Sequence, residues 1–289
     1  MLASRHHPHT LRGIFLMMAA VSTFACLDTI SKWLTQHYPV PVIVWVRYVF
    51  QMGLLLVLLA PRMGWRLVKT AHPGIQVVRG LVLVAAGMVF VAAISYMPLA
   101  EVVSINFMGP IFIAVASGIL LRERIGAKAW VALALGFTGV LLIVRPGTAI
   151  FQWAALLPLG SALGMTVYQM LTRRVAGRDH ALTSLFYPTL VGAVAVPVAF
   201  PHAMQFPAVA WHWSLFVAVG ALGGFGHWLL IKAHELATAA VLAPFMYVQL
   251  VVVLFLGWAV FSQLPDGIAV LGMLVITGSG LLLVFRRSR

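Results

Sequence analysis

The chain has 289 residues, 62% of them hydrophobic and 9% charged, and a formal net charge of +13. Soluble domains hold roughly 45–50% apolar and about 25% charged residues, so this composition excludes a water-soluble fold and makes the bilayer the solvent. The positive balance reads as a topology signal rather than a nucleic-acid surface, because the bases gather in short corners between apolar runs.

A helix needs about 20 apolar residues to cross the hydrocarbon. Runs of that kind fall at 11–34, 40–60, 75–96, 99–121, 128–145, 150–172, 182–200, 211–231, 236–261 and 267–285. The predicted fold is therefore an all-α polytopic membrane protein of ten transmembrane helices. The basic start (Arg5, His6, His7, His9) precedes a long apolar stretch with no small-residue cleavage site, which reads as a retained span. Cys26, the single cysteine, lies inside that span and reads as a packing residue. Pro and Gly mark the corners, at Pro39 and Pro41, Pro61 and Gly64, Pro98, Pro146 and Gly147, Pro201 and Pro207, and Pro265 and Gly267. If the chain alternates sides, 16 of the 19 Lys and Arg residues fall on one side. The other side has Lys32, Arg47 and Arg145. The bias towards positive residues inside then puts both termini in the cytoplasm.

The chain is also written twice, about 140 residues apart. Leu99-Ala100-Glu101-Val102-Val103-Ser104, running on to Pro110, parallels Leu236-Ala237-Thr238-Ala239-Ala240-Val241, running on to Tyr247. Each passage leads to a polar corner, at Arg122-Glu123-Arg124 and at Ser262-Gln263-Leu264, and then to a Gly-punctuated apolar run. The halves divide at 1–147 and 148–289, with five spans each. An odd number of spans per copy forces the copies to enter the membrane in opposite directions, the inverted-repeat plan of secondary transporters.

These residues look familiar. Ser104-Ile105-Asn106-Phe107-Met108-Gly109-Pro110, then Leu120-Leu121-Arg122-Glu123-Arg124-Ile125-Gly126 and Gly136-Phe137-Thr138-Gly139-Val140, resemble the first EamA repeat of the drug/metabolite transporter superfamily. Ala243-Pro244-Phe245-Met246-Tyr247, Gly257-Trp258-Ala259-Val260-Phe261 and Leu264-Pro265-Asp266 resemble the second. The resemblance spans about residues 11–285. It implies a ten-helix fold and transport of amino acids, other metabolites or drugs. One departure is visible: the corner acid usual in both halves is Glu123 in the first and Gln263 in the second.

Ionisable residues within spans are costly, about 2.5–3.5 kcal/mol each on insertion scales, and mark candidate sites. Asp28 and Lys32 lie four apart on one helical face, and Arg47 lies at a similar depth on the returning helix. All three are expected to meet, either as a cluster whose excess cation holds a substrate carboxylate or as an internal bridge through Asp28. The corresponding positions of the second half, Tyr168, Thr172 and Tyr187, are polar but uncharged. Asn106 and Ser104 precede Gly109-Pro110 in the fourth span, and Tyr247 and Gln249 follow Pro244 in the ninth. Broken spans at matching places in the two halves point to a transporter site. In the eighth span Gly220, Gly223, Gly224 and Gly226 make a smooth face beside His227 and Trp228, fit for close packing or a sliding gate.

The first span has no acid between Leu11 and Ala25, and the sixth has none. The resemblance implies that the small multidrug relatives depend on a glutamate in that first helix, so proton/cationic-drug antiport is disfavoured here. No phosphate-binding Gly loop and no metal-ligand spacing is present, and no cofactor is expected. The leading expectation is a monomeric carrier in the plasma (bacterial inner) membrane. It would export small polar metabolites, amino acids first among them, aromatic and neutral ones included, by alternating access. Its partners would be the small-molecule substrate and the lipid bilayer, without nucleic acid. The alternatives are a larger vitamin-like or nucleoside-like metabolite, or a drug. An intramembrane enzyme would need a nucleophile, metal site or acid–base pair clustered at one depth, and the sequence offers none.

Overall fold

The computed structural model describes residues 8–120, 127–146, 153–175 and 178–284, and the corner at Glu123 lies outside them. The first repeat holds α1 (Pro8–Thr35), α2 (Val40–Met63), α3 (Pro73–Tyr96), α4 (Leu99–Asn106), α5 (Gly109–Leu120) and α6 (Ala127–Val144). The second holds α7 (Leu156–Val175), α8 (Ala181–Ala199), α9 (His212–Leu236), α10 (Ala239–Met246), α11 (Val248–Phe261) and α12 (Gly267–Val284). Among the described residues nine stretches are long and apolar enough to cross a membrane, and Gly267–Leu282 makes a shorter tenth. The short helices α4 with α5, and α10 with α11, are the broken halves of the fourth and ninth crossings.

Proline chemistry explains the breaks. Pro110 has no N–H, so a continuous helix would orphan the carbonyl of Asn106. The chain tightens instead: the Phe107 N–H reaches the carbonyls of Val103 at 3.1 Å and Ser104 at 3.2 Å, and that of Met108 reaches Ile105 at 3.0 Å. The helix restarts at Gly109 with Pro110 in its first turn, where a missing N–H costs nothing. In the second repeat Pro244 lies inside α10, and the Tyr247 N–H turns back to the Pro244 carbonyl at 3.4 Å. Such irregular backbone survives at membrane depth only against protein or a polar cavity.

Small residues seat the neighbouring helices. The glycine face of α9 packs tightly: Gly220 and Gly224 receive Phe50 and Leu54 of α2, while Gly223 and Gly226 receive Leu27 and Phe24 of α1. Between the repeats, α6 and α12 meet backbone to backbone. A Cβ on Gly139 would lie 2.7 Å from the Gly272 carbonyl oxygen, and one on Gly272 would lie 2.6 Å from that of Gly139.

The bundle has two unlike ends. The terminal end carries the start of α1, the end of α12 and the α2–α3 and α7–α8 corners. There Asp179 accepts hydrogen bonds from Thr70 Oγ1 at 2.5 Å, the Ala71 N–H at 2.8 Å and Gln76 Nε2 at 2.8 Å. Burial pushes the Asp179 carboxyl up, but these hydrogen bonds and nearby His72 outweigh it and hold the group below its ordinary range. The distal end carries the α1–α2, α3–α4, α8–α9 and α11–α12 corners. There the Tyr38 hydroxyl and His212 Nδ1 share a 2.5 Å hydrogen bond within a cluster containing Trp33, His37 and Trp211. Arg145 pairs with Asp266, and its hydrogen bond holds that carboxyl low. Asp266 Oδ1 also accepts the Ala269 N–H at 2.9 Å, capping α12.

Arg79, within the third expected span, lies inside α3 and is 0% exposed. The α3 helix begins six residues earlier, beneath the α7–α8 corner, and carries this cation into the protein.

Candidate functional site

The two breaks face each other. The Phe107 ring, at the α4–α5 break, stacks on the Tyr247 ring, at the α10–α11 break, with centroids 4.8 Å apart and planes 26° apart. The matching irregular points of the repeats thus meet at one place. Tyr247 extends its hydroxyl against Gly280 of α12, where any side chain would collide with it. Asn106, the last residue of α4, has a buried Oδ1 with no hydrogen-bond partner. Ser104 is fully buried and returns its hydroxyl to the Ala100 carbonyl at 2.6 Å.

A polar cluster is built from α1, α2, α9 and α11. Asp28 is 7% exposed and accepts a hydrogen bond from Gln249 Nε2 at 3.2 Å. Gln249 stands two residues beyond the α10–α11 break, so the break aims it at α1. Arg47 lies close enough to act electrostatically on both Asp28 and His227. Its aliphatic stem passes near Gly223, where a Cβ would sit 3.9 Å away. His227 donates through Nδ1 to the Gly223 carbonyl at 2.8 Å and meets Phe24 edge-on at 5.1 Å. Buried polar groups of this kind are costly unless matched, so the pairing across the repeats is specific.

Lys32 leaves the expected trio. One helical turn towards the distal end from Asp28, about 6 Å along the axis, it donates to the Met97 carbonyl at 2.5 Å. Its ammonium also lies over the Phe261 ring, 5.4 Å from the centroid. It lines a cleft of about 320 Å³ with Gln36, Ser95, Tyr96, Met97 and Gln263. Glu101, in the first turn of α4, acts on Lys32 from nearby. Sequence reasoning missed Glu101 as a site residue. The available signal was an acid in the first turn of a short, broken helix, where the helix dipole favours it.

The other candidates lie apart from this cluster. Tyr168 sits under the buried Arg79 guanidinium, 5.2 Å from ring centroid to Cζ. Tyr187 donates its hydroxyl to the Val68 carbonyl at 2.9 Å, bracing the α2–α3 corner. Trp228 is 50% exposed on the outer surface and stacks on Phe225 at 5.8 Å. Thr172 returns its hydroxyl to the Tyr168 carbonyl. The structure thus joins Asp28, Arg47, His227 and Gln249, and separately brings Phe107, the neighbour of Asn106, onto Tyr247 at the breaks.

Among the described residues, nine apolar spans and a shorter tenth around buried polar groups, with paired helix breaks at the meeting of two like-built halves, define a polytopic membrane protein of the transporter type. The chain belongs to the EamA-like transporter family, whose model matches residues 11–145 and again 152–285. It is 26% identical to the riboflavin transporter of Vibrio cholerae, over 95% of this chain and 93% of that one. It is 25% identical to the S-adenosylmethionine uptake transporter of Rickettsia prowazekii, over 96% and 94%. It is also 27% identical to the pseudopaline exporter CntI of Pseudomonas aeruginosa, over 91% and 93%. A solved crystal structure shares the fold with a TM-score of 0.64 at 18% identity, covering 96% of this chain and 98% of that one.

Proposed function

We propose that this chain moves a ring-bearing metabolite of vitamin or nucleoside size across the bacterial inner membrane, by alternating access between its repeats. The carrying observation is the Phe107–Tyr247 stack where the two helix breaks face each other. A planar ligand ring inserted there would exchange one aromatic contact for two and would part the two breaks by one ring thickness. The Asp28–Gln249 pair and Arg47 would read its polar edge. The relatives named for riboflavin and S-adenosylmethionine support the larger-metabolite reading over the expected amino acids. The side bias of Lys and Arg supports cytoplasmic termini. The corner bonds at the two ends, Asp179 with Thr70 and His212 with Tyr38, would open in turn.

Counterflow in proteoliposomes tests this with labelled riboflavin, S-adenosylmethionine, adenosine, phenylalanine and alanine. Exchange of one or more of the first three, lowered about tenfold in Tyr247→Leu, is the expected result. Exchange confined to the two amino acids, or ring transport indifferent to Tyr247→Leu, would reject the proposal.

A further inference from the structure

Charge is unevenly compensated along the interior. Two cations are almost wholly buried, Lys32 at 5% exposure and Arg79 at 0%. Among the described residues neither has a carboxylate within ion-pair distance, unlike Arg145 with Asp266 and Lys232 with Glu235. Glu101 and Asp179 act on them only from farther away. Both cations are built alike. Lys32 donates to one backbone carbonyl, that of Met97, and lies over the Phe261 ring. Arg79 donates to one backbone carbonyl, that of Ser184, and lies over the Tyr168 ring. In both cases the ring comes from the second repeat and the cation from the first.

A carbonyl and a ring satisfy a hydrogen and part of a field, but they do not neutralise a charge. Arg79 keeps its Nε buried with no partner, and an ammonium has three hydrogens to donate. A buried cation held only by neutral groups keeps much of its desolvation cost. An arriving anion would recover that cost, and a guanidinium or ammonium gains most from an acidic oxygen in such a low-dielectric setting. The two cations stand near opposite ends of the interior. Lys32 faces the distal cleft, three residues from the end of α1, and Arg79 stands six residues into α3 from the terminal end. Arg47 lies between them, in the Asp28 cluster.

We infer that the carried metabolite bears an acidic group, a carboxylate or phosphate. Lys32 receives it from the distal cleft, and Arg79 receives it at the terminal end. This rests on the proposed carriage of a ring-bearing metabolite and adds its charge. The carbonyls of Met97 and Ser184 are resting partners that each cation exchanges for the acid.

The test uses the full-length chain in phosphatidylcholine vesicles, with and without phosphatidylglycerol, and two matched pairs of probes, riboflavin 5′-phosphate with riboflavin and orotate with uracil, with succinate as a ring-free acid. The wild type takes up at least one acidic member about tenfold faster than its partner. Lys32→Gln lowers that acid-to-neutral ratio about tenfold, and Arg79→Lys retains more of it than Arg79→Gln. Size-exclusion profiles of each variant verify folding. Equal uptake within both pairs overturns the inference and leaves the ring-bearing reading intact. An unchanged ratio in correctly folded Lys32→Gln and Arg79→Gln also overturns it. Succinate carried while no ring compound moves sinks the ring-bearing reading and leaves the acid intact. Phosphatidylglycerol that saturates Lys32 without any acidic probe being transported would make the site a lipid-headgroup pocket and overturn the inference.

Discussion

The two repeats share a backbone plan and divide the chemistry. Every buried ion in the described interior comes from the first repeat: Asp28, Lys32 and Arg79, with half-buried Arg47 and Glu101 beside them. The second repeat answers with neutral groups, namely the rings of Tyr168, Tyr247 and Phe261, the amide of Gln249 and the imidazole of His227. In the interior, Asp28 with Gln249, Lys32 with Phe261 and Arg79 with Tyr168 each join an ion of the first half to a neutral partner of the second, whereas the ion pair of Arg145 with Asp266 lies at the distal end. An inverted repeat therefore need not be chemically symmetric. The backbone duplicates the breaks, and the side chains assign charge to one side of the path and aromatic surface to the other.

Four experiments probe this division. The largest effect is expected at the seam itself. Gly272→Ala drives a methyl into the Gly139 carbonyl and Ile143, and neither backbone can yield without parting α6 from α12. The expected loss is about 3 kcal/mol, the upper part of the overpacking range, read as a drop in thermal unfolding temperature in detergent. Next comes Asp28→Asn. The asparagine keeps a partner for Gln249 but leaves Arg47 without its buried counter-charge, and a hydrogen bond to a charged group weakens to a neutral one. A loss of about 2 kcal/mol in stability and a tenfold or greater fall in transport are expected. If Asp28→Asn leaves both untouched, charge in the first repeat is incidental.

The third is a double-mutant cycle on Phe107→Leu and Tyr247→Leu, which should return a coupling of about 1 kcal/mol, as for a stacked aromatic pair. Zero coupling would mean the two breaks do not act as one unit. The smallest effect concerns the terminal-end corner. The folded Asp179 carboxyl lies below its ordinary value of 3.8. Its stabilising contribution is therefore complete at pH values above that point and is lost only as pH falls through the lower folded value. Asp179→Asn should lower stability by under about 1 kcal/mol at pH 7, with the difference from wild type closing below pH 4 and unchanged between pH 5 and 8.

The spans, the repeat and the two breaks were legible in the sequence because each follows from local chemistry. Apolar runs of crossing length, Pro110 and Pro244 without N–H donors, and glycine spacing all act within a few residues of themselves. The pairing of Asp28 with Gln249 was not, since it joins positions 221 apart and depends on how the ninth crossing rotates after its break. Lys32 shows a subtler limit. Helical spacing sets it on the face of Asp28, but one turn of rise brings it level with the α3–α4 corner, where it donates to the Met97 carbonyl. Arg79 fell inside the third expected span, but hydropathy does not show what shields a cation there. Its burial comes from the α7–α8 corner folding over the start of α3, a contact made through Ser184. Trp228 was read from its neighbours on the glycine face, yet it is half exposed while Gly223 and Gly226 are buried against α1.

The opposed orientation of the two halves can be measured directly. With Cys26 replaced by alanine, single cysteines at Ala71, in the α2–α3 corner, and at Gln205, in the corresponding α8–α9 corner, are labelled in intact oriented vesicles with a membrane-impermeant maleimide. The two positions are expected to react from opposite faces of the membrane. Labelling of both from the same face would contradict that opposed orientation.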